Sequence, residues 1–139
     1  MKSSALFVTV APIAPIAGIV YLGAPVGAWG AIHLVGLVLL SAALLLLTIA
    51  RLQLGDAFSV APEATMLVTH GLYARIRNPV YVFGSLLFAG LLLYLGKPWF
   101  LFCLLPVMAL QVVRAGREAK VLEARFGDAY RAYRARTWF

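Results

Sequence analysis

Four apolar stretches, at about residues 6–22, 29–50, 80–95 and 98–113, fill most of a 139-residue chain. An α-helix needs roughly 20 apolar residues to cross about 30 Å of hydrocarbon, with about 17 as the short limit. The second stretch is comfortably long. The third and fourth are short enough that flanking Tyr, Trp, Lys and Arg side chains must reach for the interfaces. The chain is 63% hydrophobic and 12% charged. A soluble domain carries about 25% charged residues, and so few polar groups cannot screen so large an apolar surface from water. Most of this surface is therefore expected to face lipid.

The punctuation between the stretches defines a topology. Gly23-Ala24-Pro25-Val26-Gly27 joins the first two and Gly96-Lys97-Pro98 joins the last two. Each connection is short enough to require antiparallel neighbours. Pro12 and Pro15 interrupt the first stretch, and no small-residue cleavage site precedes polar sequence, so this segment is expected to be a retained, kinked span. Lys97 alone lies on the side of those two turns; the other basic residues fall at the amino end, between Arg51 and Arg77, or after Val113. The positive-inside rule then places both termini and the middle loop in the cytoplasm.

Residues 51–79 are too polar to span and too apolar to be a free loop, with Asp56, Ser59, Pro62 and Glu63 breaking their start. Pro79 disfavours helix at Asn78 and is itself suited to a first helical turn. Arg77 and Asn78 are thus expected at the mouth of the third span, near its exposed backbone N–H groups. In the tail, Leu122, Phe126, Tyr130 and Tyr133 recur at helical spacing among Arg and Lys. A helix leaving the fourth span, a bend at Gly127, a cap from Asp128 and a short surface helix are expected. The predicted fold is an all-α integral membrane protein with about four transmembrane helices, an interfacial segment and a bent amphipathic C-terminal helix. It forms one domain: two spans in residues 1–50, a cytoplasmic interfacial segment in 51–79, a transmembrane hairpin in 80–113 and a cytoplasmic helix in 114–139.

The formal charge is +7. Its basic residues flank apolar spans, which suits a cytoplasmic face against anionic lipid headgroups and argues against nucleic acid. Cys103 is the one cysteine and lies within an apolar run, where it reads as a packing residue; no metal site is expected.

Two polar islands carry the functional signal. One is His70-Gly71-Leu72-Tyr73-Ala74-Arg75-Ile76-Arg77-Asn78-Pro79-Val80-Tyr81; the other runs from Arg114 through Glu118 to Leu122, Phe126-Gly127, Tyr130 and Tyr133. Arg114 and Glu118, four residues apart, share a helix face. Alone they read as readily as an interfacial ion pair, Arg77 as a headgroup anchor, and Tyr73, Tyr81 and His70 as interfacial residues. His33 reads as a polar contact between helices. Gly84 and Gly90 are expected to allow close helix packing, and Tyr130 and Tyr133 to pack the tail over the site.

In order and spacing, Leu67-Val68-Thr69-His70-Gly71-Leu72-Tyr73, Arg77-Asn78-Pro79-Val80-Tyr81 and the Arg114-to-Tyr133 pattern resemble the isoprenylcysteine carboxyl methyltransferase family. That family is related to the small membrane phospholipid methyltransferases. The resemblance implies S-adenosyl-L-methionine as methyl donor. It matches Thr65, Met66, Leu67, Val68, Tyr73, Asn78, Pro79, Val80 and Tyr81 to cofactor-binding stretches. Arg114 and Glu118 match the catalytic pair near the reacting ends of donor and acceptor. Asn78 stands where the family has His, Leu72 where Pro is frequent, Phe83 where Gly stands, and Ala119 in place of a second Glu. Asn keeps a donor and an acceptor but carries no charge.

The expected activity is methyl transfer to an amphiphilic or lipid-like acceptor at the cytoplasmic membrane face, with membrane lipids as surroundings. A carboxylate acceptor needs a cation to orient it and an amine needs a base. Prenylated cysteine, an aminophospholipid, a quinone precursor and a hydrophobic xenobiotic all remain open as acceptors. Two other readings stand beside this one. An NADPH-dependent membrane reductase of sterol-reductase type shares an Arg-x-Pro-x-Tyr region, although Val80 follows Pro79 where those reductases carry Asn. The third is a catalytically silent family member.

Overall fold

The computed structural model describes residues 13–24, 29–55 and 67–139. Five α-helices follow in order: α1 (Ile13–Leu22), α2 (Ala31–Leu54), α3 (Pro79–Tyr94), α4 (Leu104–Phe126) and α5 (Asp128–Arg136). Two 3-10 turns intervene, at Gly71–Ala74 and Pro98–Cys103. The protein is all-α, and among the described residues the one non-helical pairing is an isolated parallel bridge between Ile76 and Trp138.

Among the described residues, two segments have the length and apolar composition to cross a membrane: Ala31–Leu54, of 24 residues, and Pro98–Phe126, of 29. α1 and α3 are apolar but shorter, at 10 and 16 residues. At about 1.5 Å per residue, α3 covers only about 24 Å of a hydrocarbon layer about 30 Å thick. Large apolar side chains are exposed along α2 and α4, including Leu34, Val35, Val38, Leu105, Met108, Leu110, Val112 and Val113. A patch of that extent needs an apolar solvent, so this is a membrane protein.

Among the described residues, the antiparallel pair α2–α3 makes the most extensive helix contact. It is set by glycine: a methyl group on Gly36 would strike the Tyr94 backbone, and one on Gly90 the Leu40 backbone. Small residues let helix backbones approach where lipid removes any hydrophobic drive between helices. Gly90 thus does what its sequence position suggested. Gly84 does not, since a Cβ there meets nothing within 4 Å.

Below this contact, Ala50, Val68, Tyr73 and Phe83 form a buried cluster, with Leu46, Leu54, Leu72, Ile76 and Val80 packed around it. The cluster fixes residues 67–78 against the ends of α2 and α3. Phe83, one of the departures from the family pattern, fills this core.

His33 caps the start of α2 and also lies against the turn that ends α3, where a methyl group on Gly96 would strike its ring. Its Nδ1 accepts from the Gly30 backbone N–H at 3.3 Å, at the start of α2. Beyond Val113, α4 runs unbroken out of the apolar region to Phe126 and stops at Gly127, whose φ of 52° is open to glycine at little cost. The bend at Gly127 follows the sequence expectation. The cap does not: Gly127 occupies the cap position of α5, and Asp128, its first residue, instead accepts from Arg131 Nη1 at 2.8 Å. Arg131 also reaches Glu123 across the corner at 2.9 Å.

Candidate active site

The site region is the meeting of three pieces of chain: residues 67–78, the first turns of α3, and the middle of α4. Pro79 opens α3, as its fixed φ favours, and Asn78 is the N-cap. The Asn78 carbonyl accepts from the Tyr81 and Val82 N–H groups at 3.1 and 3.3 Å. Its side chain makes no capping hydrogen bond, so the amide is not consumed by the helix it starts.

One turn on, the Tyr81 hydroxyl donates to Glu118 Oε1 at 2.5 Å. Arg114 Nε lies 3.8 Å from the same oxygen. The two polar islands, 37 residues apart in sequence, therefore converge on one carboxylate. Arg114 has 58% of its side chain exposed and Glu118 33%. Solvent screening makes such a pair a weak contributor to stability. Its arrangement is better suited to orienting polar groups than to holding helices together.

Residues 70–73 are braced from α2. Leu72 N–H donates to Gln53 Oε1 at 2.8 Å, and Gly71, with φ of 61°, lies so close to the Gln53 side chain that a methyl group would collide with it. Tyr73 is 6% exposed. Burial, then the neighbouring Tyr133, push its phenol well above the usual range, while Arg51 opposes this. Glu118 and Tyr81 add to the upward push, so Tyr73 lies within electrostatic reach of the Tyr81–Glu118 pair.

The tail closes over this region. Tyr130 and Tyr133 are 1% and 2% exposed, and the Tyr133 hydroxyl donates to the Tyr73 carbonyl at 2.8 Å. Burial, with Tyr130 second, raises the Tyr133 phenol to about 12, against Arg77 and Arg136. Beyond α5 the chain pairs with the stretch before α3: Trp138 N–H to Arg75 O at 3.0 Å, Arg77 N–H to Trp138 O at 2.9 Å, and Asn78 N–H to Phe139 O at 2.8 Å.

Of the residues singled out from sequence, Tyr81, Glu118 and Arg114 come together directly. Val68, Tyr73, Pro79 and Val80 are buried or packed in the adjoining core, and Asn78 is half-buried at the mouth of α3. Leu67 is half-buried beside Val68, and His70 is exposed. Thr65 and Met66 lie outside the described residues. The sequence reading missed Gln53, the Trp138–Phe139 pairing, and a polar contact inside the hairpin, Ser85 Oγ to Gln111 Oε1 at 2.9 Å. The one available signal for Gln53 and Gln111 was a polar residue interrupting an apolar helix.

An all-helical membrane protein whose polar groups gather where two helices leave the apolar region belongs to the class that works at a lipid boundary. Residues 25–129 match the family model described as phospholipid methyltransferase, and the chain belongs to that family. It is accordingly a membrane methyltransferase. No individual protein of curated function matches it.

Proposed function

We propose that this protein transfers a methyl group from S-adenosyl-L-methionine to an amphiphilic, lipid-like acceptor at the cytoplasmic face of its membrane. In this reading α1 to α4 each cross or enter the bilayer, the basic flanks face the cytoplasm, and residues 67–81, the lower part of α4 and α5 form one cradle. The observation that carries the proposal is the convergence of Tyr81 and Arg114 on Glu118.

The residues present fit the donor. Glu118 is an acid suited to an ammonium group, Arg114 a guanidinium suited to a carboxylate or phosphate, and the Asn78 amide retains both a donor and an acceptor. Leu67, Val68, Tyr73, Pro79 and Val80 supply apolar contact for the remainder, with Thr65 and Met66 assigned to the same role by the family pattern. When bound, S-adenosyl-L-methionine supplies an activated methyl group on a sulfonium. The chain's own contribution is placement: Tyr81 fixes the Glu118 carboxylate, Glu118 and Arg114 orient each other, and the tail helix and hairpin keep water away. With an amine acceptor, Glu118 is the group available to take the proton that leaves nitrogen.

Two measurements on purified protein test this. S-adenosylhomocysteine should bind at micromolar strength, and label from a methyl donor should enter a lipid extract. Binding of NADPH in place of S-adenosylhomocysteine would favour a reductase, and binding of neither a silent member.

A further inference from the structure

The α2–α3 pair fixes the height of the apolar layer that this protein can occupy. Gly36 lies against Tyr94 and Gly90 against Leu40, and the same register continues to both ends of the pair. At one end it sets His33 beside Gly96 and hence level with Lys97. At the other it gathers Ala50, Val80 and Phe83 into one cluster, which brings Arg51 level with Pro79. Polar or charged groups therefore bound both helices at matching heights: His33 and Lys97 at one end, Arg51, Arg77 and Asn78 at the other. Between these limits the hydroxyls are partnered within the protein. Ser41 and Thr48 donate to the Leu37 and Leu44 carbonyls of their own helix, each at 2.8 Å, and Ser85 donates to Gln111. Indole rings mark each end. Trp29 meets Tyr94 edge-on and Trp99 is 80% exposed in the turn after Lys97, while Trp138, 58% exposed, pairs with Arg75 and Arg77. Tryptophan favours the headgroup level of a bilayer.

Three segments measure this band. Residues 34–50 of α2 rise about 25 Å at about 1.5 Å per residue. α3 has 16 residues, a rise of about 24 Å. Residues 98–113 begin as a 3-10 turn at about 2.0 Å per residue and rise about 27 Å before Arg114. Any tilt lowers each value, whereas a common hydrocarbon core measures about 30 Å. The α2–α3 pair has no means of lengthening to meet it. Backbone contact at Gly36 and Gly90 locks the register, and the Arg77 and Asn78 N–H groups tie the mouth of α3 to the Trp138 and Phe139 carbonyls. We infer that the apolar surface of this protein fits a thin bilayer, with a hydrocarbon core of about 25 Å, and that a thicker one must be compressed around it. The inference rests on α2 and α3 spanning as read above, and not on methyl transfer.

The test places the full chain in phosphatidylcholine vesicles and reads the fluorescence of Trp29, Trp99 and Trp138. Quenching by dibrominated dioleoyl lipid is competed in turn by dimyristoleoyl, dipalmitoleoyl, dioleoyl and dierucoyl lipid. The competition gives the relative affinity of the protein surface for each chain length. Affinity should peak at dimyristoleoyl or dipalmitoleoyl lipid and fall about threefold by dierucoyl, because mismatch carries a modest cost for each ångström. A peak at dioleoyl or dierucoyl lipid overturns the inference, as does equal affinity for every chain length. S-adenosylhomocysteine binding, measured in the same vesicles, keeps the two readings apart. A flat profile with binding intact removes the thin band and leaves the proposed function standing. A peak at short chains with no binding in any lipid leaves the thin band and removes the methyltransferase reading.

Discussion

Tyr81 and Glu118 are joined by a 2.5 Å hydrogen bond from the phenol of the first turn of α3 to a carboxylate midway along α4. It ties the polar loop before the hairpin to the stem after it. Tyr81→Phe removes the donor while keeping the ring. A hydrogen bond to a charged group is worth about 1.5–3 kcal/mol, and partial exposure of Glu118 puts this one at the lower end. Methyl transfer should fall by about tenfold with little change in thermal stability. Turnover equal to the unmodified protein would detach Tyr81 from the site.

Glu118→Gln keeps the shape and an acceptor oxygen but removes the charge that faces Arg114. If Glu118 takes up a proton from an amine, this variant should lose activity far more than Tyr81→Phe does, while Arg114→Ala mainly weakens acceptor binding. Steady-state kinetics on the three variants separates these effects: matched losses in kcat and KM across all of them would argue for loss of local structure instead.

Gly90→Val and Gly36→Val should cost the fold more than any change in the site. Each would push a branched side chain into backbone already in contact, and overpacking of this kind costs about 1–3 kcal/mol or more. Gly84→Ala and Gly116→Ala, where a methyl meets nothing within 4 Å, should be neutral or stabilising by up to about 1 kcal/mol through helix propensity. Melting temperatures in detergent for the four variants check this contrast.

Tyr133 gives the tail a pH dependence. Its phenol titrates near 12 when folded and near 10 when unfolded. A raised folded value means that the stabilisation is complete below about pH 10 and is lost as pH climbs from there to 12. Alkaline denaturation should begin in that window, as the hydrogen bond to the Tyr73 carbonyl is lost. Tyr133→Phe should be less stable at neutral pH by about 1 kcal/mol and show a shallower alkaline transition, read by far-ultraviolet circular dichroism. The buried Tyr73 and Tyr130, both raised, should remain to give a residual alkaline loss.

Gln53→Ala should loosen residues 70–73, because Leu72 loses its acceptor on α2. The expected result is weaker S-adenosylhomocysteine binding with α2 and α3 still packed. Unchanged affinity would mean that the Tyr73 core holds this stretch without help from Gln53.

The helical, membrane-embedded character of the chain was written in its composition, and the limits of α2 and α3 in its Gly, Pro and polar punctuation. Pro79 opening a helix and Gly127 ending one are local consequences of backbone geometry, so residues in sequence order suffice to read them. The motif spacing also nominated Tyr81, Arg114 and Glu118, because four-residue intervals put side chains on one helix face. Sequence alone did not decide that Tyr81 and Glu118 meet, that Ser85 finds Gln111, or that Trp138 pairs beside Ile76. Those contacts bring together residues 26 or more positions apart. They depend on the register of α4 against α3 and on the direction in which the chain leaves Gly127, neither of which the position of the turn alone fixes. Apolar helices in lipid have no hydrophobic preference for one neighbour over another; close approach at glycines and a few polar contacts select the partner, and these exist only once the helices are in place.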